Sequence, residues 1–305
     1  MENIIEVKNL TKKYGDFTAV DNISFEVRKG ETFGILGPNG AGKTTTLEMI
    51  EGLKSITSGN VVLDESNVAS EPNLVKSKIG VQLQSSAFFD GLNLKELVET
   101  FGALYGRRVD AMNLLSQVQL TEKAKNTAKE LSGGQKQRLS IAVALVNDPK
   151  VIFLDEPTTG LDPQARRNLW DLVQQIKSLG KTIVLTTHYM EEAEVLCDRI
   201  AVMDHAHIIA LDTTKNLLKQ SGGSSSIVFK TSKPFEMPYL QTLPGVDKVT
   251  ESDGFYKLHC SNAQLALPSL FQRAREFDIE IRDLSLTEPT LEDVFLSLTG
   301  HQLRD

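Results

Sequence analysis

One segment constrains this chain more than any other: Gly37-Pro38-Asn39-Gly40-Ala41-Gly42-Lys43-Thr44. Its glycines let backbone N–H groups turn inward, Lys43 adds a compact positive charge, and Thr44 offers a hydroxyl oxygen. An apolar run, Thr32–Leu36, precedes it, and a helical stretch over residues 45–52 comes after it. A helix N-terminus aimed at an anion is worth on the order of 0.3–2 kcal/mol per charge. Strand, glycine-rich turn and helix in that order fit a polyphosphate cradle. Lys43 would sit on the β- and γ-phosphates, and Thr44 would supply an oxygen to Mg²⁺. The segment, with Thr45 opening the helix, predicts a chain that binds ATP.

Such a loop needs a sheet. Besides residues 32–36, apolar runs over 79–83, 151–154 and 182–186 have strand length and are rich in β-branched or large apolar residues. Continuous runs of this kind suit strands buried on both faces of a parallel sheet. The periodic segments between them read as helices, so the expected fold is α/β. Each run gives way to polar or glycine-rich residues: the glycine loop, Gln84, the pair Asp155-Glu156, and His188. Open α/β sheets bind ligands at the carboxyl ends of their strands, so these distant groups can converge on one edge.

There Asp155 can hold Mg²⁺, directly or through water, and Glu156 could activate a water. Taken alone, the pair could equally open a helix, since Pro157 and Thr158 come next. Leu131-Ser132-Gly133-Gly134-Gln135 opens a predicted helix over 135–146. It offers glycine N–H groups, a hydroxyl and a helix N-terminus: either a second anion cradle or an ordinary capped start. Two phosphate cradles in one ATP-binding domain suggest that one serves a second chain.

Between about 85 and 150 the texture is helical. Leu94, Leu97, Val98, Phe101 and Leu104 form an amphipathic stripe in what reads as a subdomain inserted between strands. Beyond residue 220, Ser221-Gly222-Gly223-Ser224-Ser225-Ser226 reads as a flexible linker. Residues 227–305 then read as a small α/β domain. It has strands over 227–230, 248–250, 255–259 and 279–284, a turn at Asp253-Gly254, and helices over 263–277 and 291–298. In the last of these, Thr290 and Asp293 approximate a capping box, Gly300 suits the position after the helix, and Leu291, Val294, Phe295 and Leu298 share one face. That face packs on its own domain or docks across a dimer.

Composition sets outer limits. A length of 305 residues suits two domains. A net charge of -7 argues against a nucleic-acid partner. Cys197 and Cys260 belong to no paired-cysteine pattern, which fits buried thiols in a reducing compartment. The first residues lack the pattern of a signal peptide, and no apolar run reaches the ~18–20 residues of a membrane span. A cytoplasmic chain is expected, with any membrane span supplied by another.

These motifs, in this order, resemble the nucleotide-binding subunit of ATP-binding-cassette (ABC) transporters over roughly residues 4–211. The resemblance implies roles. Tyr14, before Gly15, would stack on adenine, and Gly37 through Thr45 would hold the phosphates. Gln84 would touch Mg²⁺ and the attacking water and sense the membrane partner. Ser132, Gly133, Gly134 and Gln135 would reach the γ-phosphate of ATP on the other subunit of a homodimer. Glu156 would be the general base. Asp162 would lie at the dimer seam, and His188 would hold the γ-phosphate and orient Glu156. Residues 182–194 and 289–300 are similar to the drug- and antibiotic-export branch. That likeness implies a separate integral membrane permease, placing this chain peripherally at the cytoplasmic face of the membrane. Ala206 departs from that pattern, which has glycine there, and puts the geometry of its turn in doubt. An importer ATPase, a ribosome-acting ATPase of the same superfamily and a non-catalytic ATP-binding module are the competing readings. The C-terminal likeness, the single cassette, and the intact Lys43, Asp155, Glu156 and His188 disfavour them in turn.

Overall fold

The computed structural model describes residues 2–83, 88–220, 225–252, 254–287 and 290–299. The chain forms two compact units that divide between Thr213 and Thr214.

Among the described residues, the first unit carries a six-stranded sheet. Its strand order is His207–Thr213, Arg199–Asp204, Thr32–Leu36, Thr182–Thr187, Val151–Asp155, Ile79–Gln82. The four inner pairings are parallel, and His207–Thr213 joins its neighbour antiparallel. Strands Thr32–Leu36, Val151–Asp155 and Thr182–Thr187 are buried at every position, as continuous apolar runs require.

The sequence reading assigns no strand before residue 32. The structure adds an antiparallel sheet ordered Phe17–Arg28, Asn3–Tyr14, Ser58–Leu63, Ser66–Asn67. Its pairing is interrupted by register shifts that spoil simple alternation along the chain. Phe25 from this sheet stacks on Phe33 from the six-stranded one, centroids 5.1 Å apart.

The insert after residue 85 is helical as expected, with helices Leu94–Leu104, Ala111–Gln117 and Gly133–Ala144. Leu94, Leu97 and Val98 are buried, but Leu104 is 69% exposed, so the apolar stripe ends before it.

The second unit is an antiparallel sheet ordered Val246–Ser252, Phe255–Cys260, Ser225–Thr231, Ile281–Thr287, with helices over it. Ser225 and Ser226, read as linker, pair with Cys260 and His259 and begin a strand. Cross-strand hydrogen bonds decide that, and small polar residues do not announce them. The helix Thr214–Gln220, placed with the first domain by the sequence reading, groups with the second unit. There it packs against Leu291–Thr299. Thr290 and Asp293 make the reciprocal cap of that last helix (2.9 and 3.4 Å). Residues 221–224 of the linker, Asp253 of the turn and Gly300 lie outside the described residues. Both cysteines are buried, and neither forms a disulfide among the described residues.

Candidate active site

Register builds the site. Leu36 pairs with Thr187 and Asp155 with Thr186, so Gly37, Glu156 and His188 leave the sheet side by side. Backbone bonds tie these exits together. The Gly37 N–H donates to the Thr187 carbonyl at 3.3 Å, and the Glu156 N–H to the Thr186 carbonyl at 3.2 Å. The Glu156 N–H also reaches the Thr186 hydroxyl at 3.0 Å, and that hydroxyl donates to Asp155. Thr186 therefore holds the Asp155 carboxylate and the Glu156 backbone, a role the sequence reading misses because it stops at the charged residues.

The loop demands its glycines where the fold crowds it. Gly42 has φ 102°, and a Cβ there would strike the Ala19 carbonyl. Gly42 caps the helix Lys43–Ile50. That helix starts two residues earlier than the sequence pattern suggests, so Lys43, Thr44 and Thr45 form its first turn.

Lys43 is 4% exposed. Its Nζ lies 3.3 Å from Glu156 Oε1 and donates to the Pro38 carbonyl at 3.1 Å. Burial lowers the Lys43 pKa against the opposing pull of Glu156. The Thr44 hydroxyl donates to Asp155 Oδ1 at 3.1 Å. Burial lifts the Asp155 carboxyl above its ordinary range despite the bonds from Thr186 and Thr44, and the Glu156 and Glu48 charges add to the rise.

Glu156 is set the other way. Burial raises its pKa, but Lys43 first and His188 second outweigh burial, helped by the Thr159 hydroxyl at 3.2 Å, and the result is lowered. The carboxylate is ionised at neutral pH and can accept a proton. Its φ of 46° is left-handed, a strained backbone for a residue with a side chain. His188 Nδ1 sits 3.3 Å from Glu156 Oε2 and makes no hydrogen bond among the described residues.

Asn39, Gly40, Lys43, Thr44 and Glu156 line a cleft of about 280 Å³, with Phe17 at its rim, 64% exposed. Tyr14, the expected adenine platform, pairs with Phe17 across the hairpin and carries Lys12 Nζ 5.0 Å from its ring centroid. Phe17, three residues on, is the aromatic that lines the cleft. A larger cavity of about 520 Å³, near Arg107 and Ile176, contains none of the strand-end groups and is not the site.

A second cleft of about 210 Å³ brings together Ser132, Gly134, Gln135, Arg138 and Asp162. Ser132 caps the helix Gly133–Ala144 reciprocally: its Oγ accepts from the Gln135 N–H (3.3 Å) while Gln135 Oε1 accepts from the Ser132 N–H (3.0 Å). Asp162 caps the helix Pro163–Ser178 through the Ala165 N–H at 2.8 Å. Gly134 runs close to Ala165, where a Cβ would come within 3.2 Å of the Ala165 methyl. Arg138 is absent from the sequence reading, although its position one turn after Gln135 places it on the same helix face. Gln84 lies outside the described residues.

A sheet edge that presses a phosphate loop against an ionised strand-end carboxylate defines a P-loop ATPase. Known proteins narrow this. Residues 20–159 match the ABC transporter family, and residues 214–299 match the DrrA1-3-like C-terminal domain of ATP-binding proteins. The linearmycin resistance ATP-binding protein LnrL of Bacillus subtilis is 38% identical over 99% of this chain and 100% of its own length. The Nod factor export ATP-binding protein I of Ralstonia nicotianae is 36% identical over 99% of this chain and 95% of its own. A dimeric ATP-binding cassette solved with ADP and Pi superposes with a TM-score of 0.62 at 29% identity, over 68% of this chain and 98% of that one. The chain belongs to the ABC transporter family, as an ATP-binding and ATP-hydrolysing subunit.

Proposed function

We propose that two copies of this chain pack head to tail around two ATP molecules and drive a separate membrane permease for export. One observation carries the dimer: the two clefts are distinct, and neither is complete. The first is lined by Lys43, Thr44 and Glu156, with Asp155 bonded to Thr44 and His188 3.3 Å from Glu156. The second offers a capped helix N-terminus, a hydroxyl and an arginine but no lysine, and its one carboxylate, Asp162, is engaged in capping a helix. Each ATP would lie between one copy's Gly37–Thr45 segment and the other's Ser132 to Gln135.

The charges set the chemistry. When phosphates take Lys43, they remove the partner that most depresses the Glu156 pKa. The Glu156 pKa then moves up from its lowered position, which makes the carboxylate a stronger base toward water. His188 would bridge Glu156 and the γ-phosphate. Thr44 and Asp155 present hard oxygen donors 3.1 Å apart, which suit Mg²⁺. No group of three His, Cys, Asp or Glu able to hold a metal exists among the described residues, so phosphates and water would complete the coordination. Bound Mg²⁺ supplies neutralisation of charge on the phosphate oxygens. Gln84 is the proposed further ligand, and Phe17, with Tyr14 behind it, the proposed base platform.

No helix among the described residues is long and apolar enough to cross a membrane. A permease would supply the span and hold this chain at the cytoplasmic face. Leu83, at the edge of the sheet, and Phe89, which packs on Phe101 of the insert at 5.7 Å, are exposed apolar groups available to it. The relatives named for antibiotic resistance and Nod factor export support the outward direction.

Complementation tests the composite sites. Lys43→Ala disables the first cleft and Ser132→Arg the second, and each chain alone should be inactive. Mixed, they form dimers with one intact site, and ATP hydrolysis should reappear. Full activity of a monomer at every concentration would contradict the reading.

A further inference from the structure

Helix Pro163–Ser178 starts on the second cleft and meets the segment that carries His188 at two points. At its N-terminus Asp162 lines that cleft. The Arg166 N–H donates to the Asp162 carbonyl at 2.9 Å, so Arg166 and the rim move as one turn of helix. Arg166 sets its guanidinium carbon 4.2 Å from the Tyr189 ring centroid. One turn later Trp170 donates its indole N–H to Glu192 at 3.1 Å.

The two contacts differ in kind. Trp170 and Glu192 are buried and joined by a directional bond, an anchor. Arg166 meets Tyr189 through a ring face, and its buried Nε has no hydrogen-bond partner among the described residues, so the ring carries a share of its placement. The Tyr189 ring in turn lies 4.1 Å, centroid to centroid, from the His188 imidazole. The Tyr189 N–H donates to Thr187 Oγ1 at 2.9 Å, which holds its backbone to the strand end.

We propose that Tyr189 is a positioning residue that ties His188 to Arg166, so that a shift of helix Pro163–Ser178 at the second cleft is felt by His188, which lies against Glu156 of the first. The inference rests on the reading that the second cleft takes the partner's nucleotide. Filling that cleft presses on Asp162. The displacement passes along one helical turn to Arg166, across the Tyr189 ring, and into the imidazole beside Glu156. Each site of a dimer would thereby sense its neighbour through three contacting rings and charges within one chain.

The test uses the full chain with isotope-labelled histidine, the His188 imidazole resonance being identified by its loss in His188→Ala. Arg166→Met and Tyr189→Leu should each move that resonance, while Tyr189→Phe, which keeps the ring, should leave it in place. Tyr189 does not line the first cleft, so Tyr189→Leu should lower kcat by about 10- to 100-fold with KM for ATP nearly unchanged. Tyr189→Phe should restore kcat. Arg166→Met retains an apolar stem and carries the spectroscopic test if Tyr189→Leu fails to fold. A His188 resonance unmoved by Arg166→Met, or a Tyr189→Phe chain as impaired as Tyr189→Leu, overturns the proposal. Wild-type hydrolysis measured alongside separates two failures. A wild type that does not hydrolyse ATP sinks the functional reading. A hydrolysing wild type whose His188 ignores Arg166 sinks this inference alone.

Discussion

At residue 156 opposing forces set one carboxylate: burial pushes its pKa up, and Lys43 with His188 pulls it down further. Lys43 is central to that balance, because it must leave Glu156 to meet phosphate. Lys43→Ala should abolish tight ATP binding, and nucleotide titration of both forms checks it; equal affinities would sink the phosphate-loop assignment. Glu51 offers a cleaner reading of burial. It is 1% exposed, neither carboxylate oxygen has a hydrogen-bond partner among the described residues, and burial with the Asp155 and Glu48 charges lifts its pKa to about 8. Its folded pKa lies above the unfolded one. Its contribution to stability is therefore full below pH ~4.5 and is lost as the pH rises through about 8. Glu51→Gln should raise the melting temperature at alkaline pH and lose that advantage in acid. A variant that melts lower than wild type at alkaline pH would contradict the assignment. Ala206 is a third single-residue case. It takes φ 69° beside His205 at 44°, so the turn keeps its left-handed shape without the glycine. Ala206→Gly should stabilise the first unit by ~1 kcal/mol, measurable by urea unfolding.

At the scale of elements, strand ends decide the chemistry. Thr186 sits opposite Asp155 because the parallel register puts it there, and its hydroxyl serves both carboxylate-bearing residues. Thr186→Val keeps the shape and β-propensity but leaves a buried carboxylate short of a donor. A cost of about 1–3 kcal/mol in stability is expected, with a lower kcat. Unchanged unfolding and unchanged turnover would show that Thr186 is a bystander. The strands that carry the site were legible because burial on both faces writes a continuous apolar run, with a charged or glycine residue where each strand ends. The antiparallel sheet of Asn3–Tyr14 and Phe17–Arg28 was not, because its bulges break the two-residue alternation that a reader can count. The left-handed backbone at Glu156 was also invisible, since no local preference of glutamate asks for it. Phe17 and Tyr14 are both aromatics beside one turn, and only the folded hairpin decides which of them reaches the cleft. Ser225 and Ser226 have linker chemistry and strand pairing at once, and the pairing is set by Cys260 and His259 far along the chain.

Over the whole molecule, the account depends on two incomplete clefts on one chain. In the proposed reading, Lys43, Asp155, Glu156 and His188 would supply charge and a base, and Ser132, Gly134 and Arg138 an anion cradle whose rim Asp162 holds by capping the next helix. In the proposed dimer, two copies related by a twofold axis would complete both sites at once, the closed symmetry most homo-oligomers adopt. The measurement that tests this most directly is made on Glu156→Gln. The amide has nearly the shape of the carboxylate but cannot take a proton from water, and general-base loss costs about 10²–10⁴ in rate. It also removes a negative charge beside the γ-phosphate, which favours the closed pair. Phosphate release and size-exclusion chromatography with ATP should together report an almost silent enzyme that binds ATP and elutes as a stable dimer. Wild-type turnover by Glu156→Gln, or a monomer in saturating ATP, would contradict the account.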